Sequence, residues 1–322
     1  MFDDFAPKLA KVLTEYSQPV NPGDTVTIYG AADAMPLVEA LYEAVLRRGG
    51  HPTVELRYSQ LQEMFYRHAN DDQLAYLPPQ AMTWIEQTDI MYNLKAERNP
   101  LSLTNVPTEK RAKAREALRP FTEAYFRRFG DGSLRWTIAA WPTEGLAQLA
   151  EMGLLDYTEF IYKACALDQD DPVQHWLAFK ARQDKLVQWM NGKKHCEVRG
   201  PGIEIDFDFT DRLWVNAHGD LNMPDGEIYT GPVEESVNGH VEFSYPTVYL
   251  NRQVSGVKLT FKDGVVVEAS AEKGEDYLLA QLDLDAGARR LGEFAIGTNT
   301  GIQQVTGDTL FDEKIGGTIH MA

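Results

Sequence analysis

The sequence predicts an α/β N-terminal domain with a mainly parallel sheet, followed by a β-rich α+β C-terminal domain. From Thr25 to Ala140, short β-branched runs alternate with amphipathic helical segments, the pattern of βαβ units and a parallel sheet. A helix-length segment from Pro172 to Met190 follows, and beyond Lys194 the pattern changes to strict apolar/polar alternation.

Taken in order, Phe5, Leu9, Leu13 and Tyr16 recur at helical spacing, so the chain opens with an amphipathic helix that Asn21-Pro22-Gly23-Asp24 ends. Thr25-Val26-Thr27-Ile28-Tyr29 is a strand, about Met35 to Arg48 a helix stopped at Gly49-Gly50, and Pro52-Thr53-Val54-Glu55-Leu56 the next strand. Asp89 to Leu94 reads as a strand, Glu109 to Arg128 as one helix and Trp136 to Ala140 as a further strand. Asn191-Gly192 suits the C-cap of the Pro172–Met190 helix. In the second half Ile203, Ile205, Phe207 and Phe209 share one strand face, with Glu204, Asp206 and Asp208 on the other. Lys262-Asp263-Gly264 between Val257–Phe261 and Val265–Ala269 is a hairpin signal, because Asp-Gly tolerates the positive φ of tight turns. The domain boundary is expected near residue 192, giving domains 1–192 and 193–322.

Composition narrows the function classes. At 322 residues, 43% hydrophobic and 25% charged, the chain is globular and long enough for two domains. A formal charge of -17 repels polyphosphates and anionic lipid, so neither nucleic acid nor membrane is an expected partner. Cys165 and Cys196 form no CxxC motif or disulfide framework, and the acidic N-terminus is unlike a signal peptide. A reducing cytoplasm is therefore the expected location.

HExxH, GxxxxGK[ST] and GxSxG motifs are all absent. Gly30-Ala31-Ala32-Asp33-Ala34 lacks the later glycines of a dinucleotide fingerprint and reads as an ordinary βα turn, so no organic cofactor is expected. More informative are three residues beside turns in the β-rich half. Glu227 lies in Asn222-Met223-Pro224-Asp225-Gly226-Glu227-Ile228-Tyr229-Thr230-Gly231-Pro232, Glu293 opens the apolar run Phe294-Ala295-Ile296, and His320 follows Gly316-Gly317-Thr318-Ile319. Singly they fit an exposed turn acid, a strand-edge charge and a satisfied core histidine. Together, carboxylates and a neutral imidazole are the donors that Zn²⁺, Mn²⁺ or Co²⁺ use when water must reach the metal.

The segments Asn222–Pro232, Leu291–Asn299 and Thr306–His320 resemble the aminopeptidase T and aminopeptidase S family of metallo-aminopeptidases. Pro22-Gly23-Asp24, Asn99-Pro100 and Trp141-Pro142-Thr143 extend the likeness through the N-terminal half. The resemblance implies a C-terminal metal-binding domain with two divalent ions, zinc, cobalt or manganese, held by Glu227, Glu293 and His320. Gly226 stands where relatives often carry a second acid. It also implies a homodimer enclosing the active site, peptide substrates, and release of N-terminal residues by metal-activated water. The general base is left unassigned.

The family's further site residues, a tyrosine and a His-x-Asp pair, follow the position matching His320, so the chain is expected to be a fragment. A non-catalytic member with an incomplete site is the rival expectation. His218 and Asp220 are expected to form a polar loop, Asp312 and Glu313 to be structural, and Glu234-Glu235 and Asp283 to Asp285 to be solvated.

Overall fold

The computed structural model describes residues 2–249 and 252–322. In chain order these contain α1 (Phe5–Val12), a π-helical turn at Leu13–Ser17, β1 (Thr25–Ala31), α2 (Met35–Arg47), β2 (His51–Arg57), α3 (Ser59–His68), α4 (Asp71–Leu74), α5 (Pro79–Gln87), β3 (Ile90–Lys95), α6 (Thr108–Ala117), α7 (Arg119–Gly130), β4 (Arg135–Ala140), α8 (Glu144–Leu149) and α9 (Leu154–Ala164). They continue with α10 (Pro172–Met190), β5 (His195–Gly200), β6 (Ile203–Asp208), β7 (Val215–Ala217), β8 (Asn222–Met223), β9 (Glu227–Thr230), β10 (Asn238–Glu242), β11 (Thr247–Tyr249), β12 (Arg252–Val254), β13 (Lys258–Lys262), β14 (Val265–Ser270), α11 (Glu275–Leu282), β15 (Phe294–Gly297), α12 (Thr309–Asp312) and β16 (Ile319–Met321).

The chain forms two compact units. One comprises the residues up to His175 together with Gly219–Pro224, and the other comprises Trp176–His218 and Asp225–Ala322. The division thus lies within α10 and not near residue 192. The reason is packing: Val187 and Met190 of α10 join the core of the second unit, and Gln183 hydrogen-bonds Asn216 there. A helix goes with the core that buries its apolar stripe, whatever the change in texture after it.

The first unit holds a five-stranded sheet in the order β2-β1-β3-β4-β8, with every neighbouring pair parallel. The order reverses between β1 and β3, as in doubly wound α/β folds. Inner strands of such sheets are covered on both faces, and here Val26, Ile28, Ile90, Tyr92 and Leu94 are fully buried. The expected helix over residues 109–128 is two helices, α6 and α7. Pro120 lies in the first turn of α7, where its missing N–H costs nothing but would break a continuous helix.

The second unit holds two antiparallel sheets, β14-β13-β10-β6-β5 and β16-β15-β9-β7, and the β11–β12 pair. The β13–β14 turn has Asp263 at φ 48° and Gly264 at φ 79°, the geometry expected of Asp-Gly. Phe207 of β6 and Phe294 of β15 meet with ring centroids 4.9 Å apart, and Trp214 stands edge-on to both Phe209 and Phe294. These residues, Ile205 and Ile228 form the core, and each large apolar side chain removed from water contributes about 1.5–3 kcal/mol.

Candidate metal centre

The site is built on the face of the β16-β15-β9 sheet opposite that core. Residues directly across an antiparallel pair share a face, and so do residues two apart on one strand. His320 pairs with Ala295, and Glu227 pairs with Gly297. Glu293 precedes Ala295 by two, and its N–H and carbonyl bond the backbone of Ala322. Glu227, Glu293 and His320 therefore project to one side, over Ala295 and over Gly297, whose lack of a side chain lets the Glu313–Ile315 backbone pack against the strand there. Phe294, Ile296, Ile228 and Ile319 take the alternate positions and pack into or against the core.

The three functional groups converge. His320 Nε2 lies 3.1 Å from Glu293 Oε1 and 3.2 Å from Glu227 Oε2, and one donor atom from each residue falls within 4.8 Å of the others. His320 Nδ1 lies 3.1 Å from the Glu313 carbonyl oxygen. A carbonyl only accepts, so Nδ1 carries a proton and Nε2 is the nitrogen that faces the two carboxylates: with the ring protonated it donates to Glu293, and with the ring neutral it offers a lone pair to an ion. Among the described residues no other group of three or more His, Cys, Asp or Glu gathers in this way.

Backbone constraints fix Glu227. Gly226 adopts φ +131°, and an added Cβ would stand 2.7 Å from Asn299 Cβ and 3.0 Å from the Phe179 ring. Glycine is required there by conformation and by crowding. Asn299 Nδ2 donates to Asp225 O at 2.7 Å, and Thr298 N donates to Gly226 O at 2.8 Å. Gln183, 2% exposed, donates through Nε2 to Asn216 Oδ1, Ala217 O and Glu227 O and accepts at Oε1 from the Thr298 hydroxyl.

The electrostatics favour a cation. Glu227 is 5% exposed, and its Oε2 has no hydrogen-bond partner, because the contact with His320 Nε2 lacks hydrogen-bond geometry. Burial holds the Glu227 carboxyl above the usual carboxylate range, against the pull of Lys314 and His320. Burial alone would lower His320, but the hydrogen bond to Glu293 and the charges of Glu227 and Glu313 hold it above its ordinary value. A buried carboxylate oxygen without a donor, a second carboxylate and an imidazole lone pair fit a divalent ion, and the Nδ1–H to carbonyl bond is the usual support of a metal-ligating histidine.

Lys314 was not singled out by sequence reasoning. In the run Asp312-Glu313-Lys314 a lysine reads as a solvated charge, yet it is 2% exposed, with Nζ 3.0 Å from Glu227 Oε1 and 2.7 Å from Glu313 Oε2. Burial alone would lower Lys314, but Glu227, Glu313 and Asp225 hold it well above the ordinary lysine value. Gln183 and Asn299 also carried no local signal.

The other acids and histidines stand apart from the triad. The Asp312 carboxylate accepts from Thr306 N, Thr306 Oγ1 and Gly307 N, a structural role. Glu234 pairs with Arg212 and Asp283 with Arg289 on exposed surface, where ion pairs contribute little. His218 and Asp220 lie where the chain passes between units and are outside the triad.

Comparison with known proteins identifies the lineage. A family described as Thermophilic metalloprotease (M29) matches residues 2–322. The chain belongs to this family. Aminopeptidase 2 of Geobacillus stearothermophilus is 27% identical over 335 aligned positions, which cover 95% of this chain and 80% of that protein. Aminopeptidase T of Thermus aquaticus is 32% identical over 237 positions, 67% of this chain and 58% of that relative. The solved structure of wild-type AmpT from Thermus thermophilus superposes with a TM-score of 0.86 at 26% identity, covering 100% of this chain and 86% of that one. Membership of the family makes the chain a metal-dependent hydrolase of peptide bonds, on the same two-part α/β and β-rich architecture.

Proposed function

We propose that Glu227, Glu293 and His320 hold the catalytic metal of a metal-dependent aminopeptidase. The chain is such an enzyme by family and by the activity its relatives are named for. The observation that supports the ligand assignment is the buried Glu227 Oε2, without a hydrogen-bond donor and facing the same small space as Glu293 Oε1 and His320 Nε2. The donor set suits Zn²⁺, Co²⁺ or Mn²⁺. A second ion, part of the same proposal, would share a carboxylate.

When bound, the ion acidifies water and polarises the scissile carbonyl. The residues themselves perform distinct tasks. His320, its Nδ1–H tied to Glu313 O, presents Nε2 in one orientation. Glu227 supplies a buried carboxylate, and Glu293, with its side chain 33% exposed, supplies one open to solvent. Homodimeric assembly and a cytoplasmic location belong to the same reading. Among the described residues no helix is long and apolar enough to cross a membrane.

Glu293→Gln tests the assignment. Losing a ligand forfeits several kcal/mol of transition-state stabilisation, so hydrolysis of amino-acid arylamides should fall about 10²-fold or more, with circular dichroism unchanged. Parental turnover under metal-limited conditions would remove Glu293 from the site.

A further inference from the structure

Lys314 is a lysine buried in the interior with two carboxylates on its Nζ, and a buried ion pair is costly to maintain. It touches both the candidate centre and the turn behind it. Nζ reaches Glu227 Oε1 at 3.0 Å and Glu313 Oε2 at 2.7 Å, and the carbonyl of the same Glu313 receives His320 Nδ1–H at 3.1 Å. The two oxygens of Glu227 consequently differ: Oε1 is held by an ammonium, while Oε2 has no hydrogen-bond partner and lies 3.2 Å from His320 Nε2. At 2% exposure, with two carboxylates already on Nζ, Lys314 has no access to substrate.

We propose that Lys314 is a positioning residue that occupies Glu227 Oε1, so that Glu227 offers only Oε2 to the metal, and that clamps the Glu313 segment supporting His320. This rests on the reading of Glu227, Glu293 and His320 as metal ligands. A carboxylate pinned at one oxygen binds through a single atom and keeps its rotamer, whereas a released one swings or binds through both. Supporting groups of this kind change metal affinity without touching the ion.

The test is a Co²⁺ titration of the full chain against a competing chelator, read by affinity and by the visible absorption bands of the ion. In Lys314→Met the freed Oε1 adds a donor atom, so the bands should shift and weaken, and Kd should move about 10-fold or more from the parent's. Lys314→Arg keeps the charge, but its fork engages both oxygens of a carboxylate, so it too should shift the bands. A lysine that merely balances charge would tolerate that exchange.

Circular dichroism of chelator-treated protein checks folding, and if the Met variant does not fold, the Arg variant carries the test. Parental Kd and bands in either folded variant overturn the proposal while leaving the ligand assignment intact. A parent chain that binds no Co²⁺, or whose Co²⁺ bands are indifferent to Glu293→Gln, overturns the ligand assignment instead.

Discussion

Gly297→Ala adds one methyl group to the strand that underlies the triad. The new Cβ would collide with the Ile315 carbonyl oxygen and stand 2.9 Å from the Ile315 carbonyl carbon and 3.1 Å from the Glu313 carbonyl oxygen. These lie inside the about 3.5–4.0 Å of relaxed carbon contacts. Every obstacle is backbone, so no rotamer change relieves the clash. Overpacking of this kind costs about 1–3 kcal/mol, and exchanging glycine for alanine within a strand recovers about 0.5–1 kcal/mol. Because the clash is with backbone the steric cost wins, leaving a net destabilisation of up to about 2.5 kcal/mol.

Guanidinium unfolding of chelator-treated protein measures this as a lower midpoint at constant slope. The same displacement carries the Glu313 carbonyl away from His320 Nδ1, so metal affinity should fall with stability. A variant with the parent's midpoint and the parent's metal affinity would refute the close approach of these strands.

Two further outcomes follow from the same geometry. His320 is raised above 6.5 and Glu227 above 4.5 in the metal-free fold, so the stability they contribute is present at low pH and lost as pH rises through their raised values. Metal needs the deprotonated ligands, so occupancy rises over the same window. Melting temperatures with and without chelator should diverge as pH climbs past 6.5, and parallel curves would contradict the ligand role of His320. Gln183→Leu leaves Asn216, Ala217 and Thr298 without their buried partner, at about 1–3 kcal/mol for each group that finds no other. A differential scanning trace with an unchanged transition would show that these groups find other partners.

Much of the fold was legible because periodicity is a local signal. The β1-α2-β2 unit, the alternation in β6, the β13–β14 hairpin and α10 all lie where apolar spacing and turn residues put them. The split between α6 and α7 was legible too, in Pro120, but the charged residues on either side continue a helical pattern across it. The unit boundary was not legible, since which core buries Val187 and Met190 is not written in α10 itself.

By itself the sequence determined the alternation of strand and helix, the change to a β-rich second half, and the presence of Glu227, Glu293 and His320 beside turns. Their convergence was implied by resemblance, and no local pattern required it. Only the tertiary structure decided it, through two non-local registers, Gly297 opposite Glu227 and Ala295 opposite His320, that bring residues from three distant segments to one sheet face. The same folding buried Lys314 against Glu227. The physical reason is that side-chain direction along a strand follows from local alternation, whereas the neighbours a side chain meets, and the water it loses, depend on which strand pairs beside it.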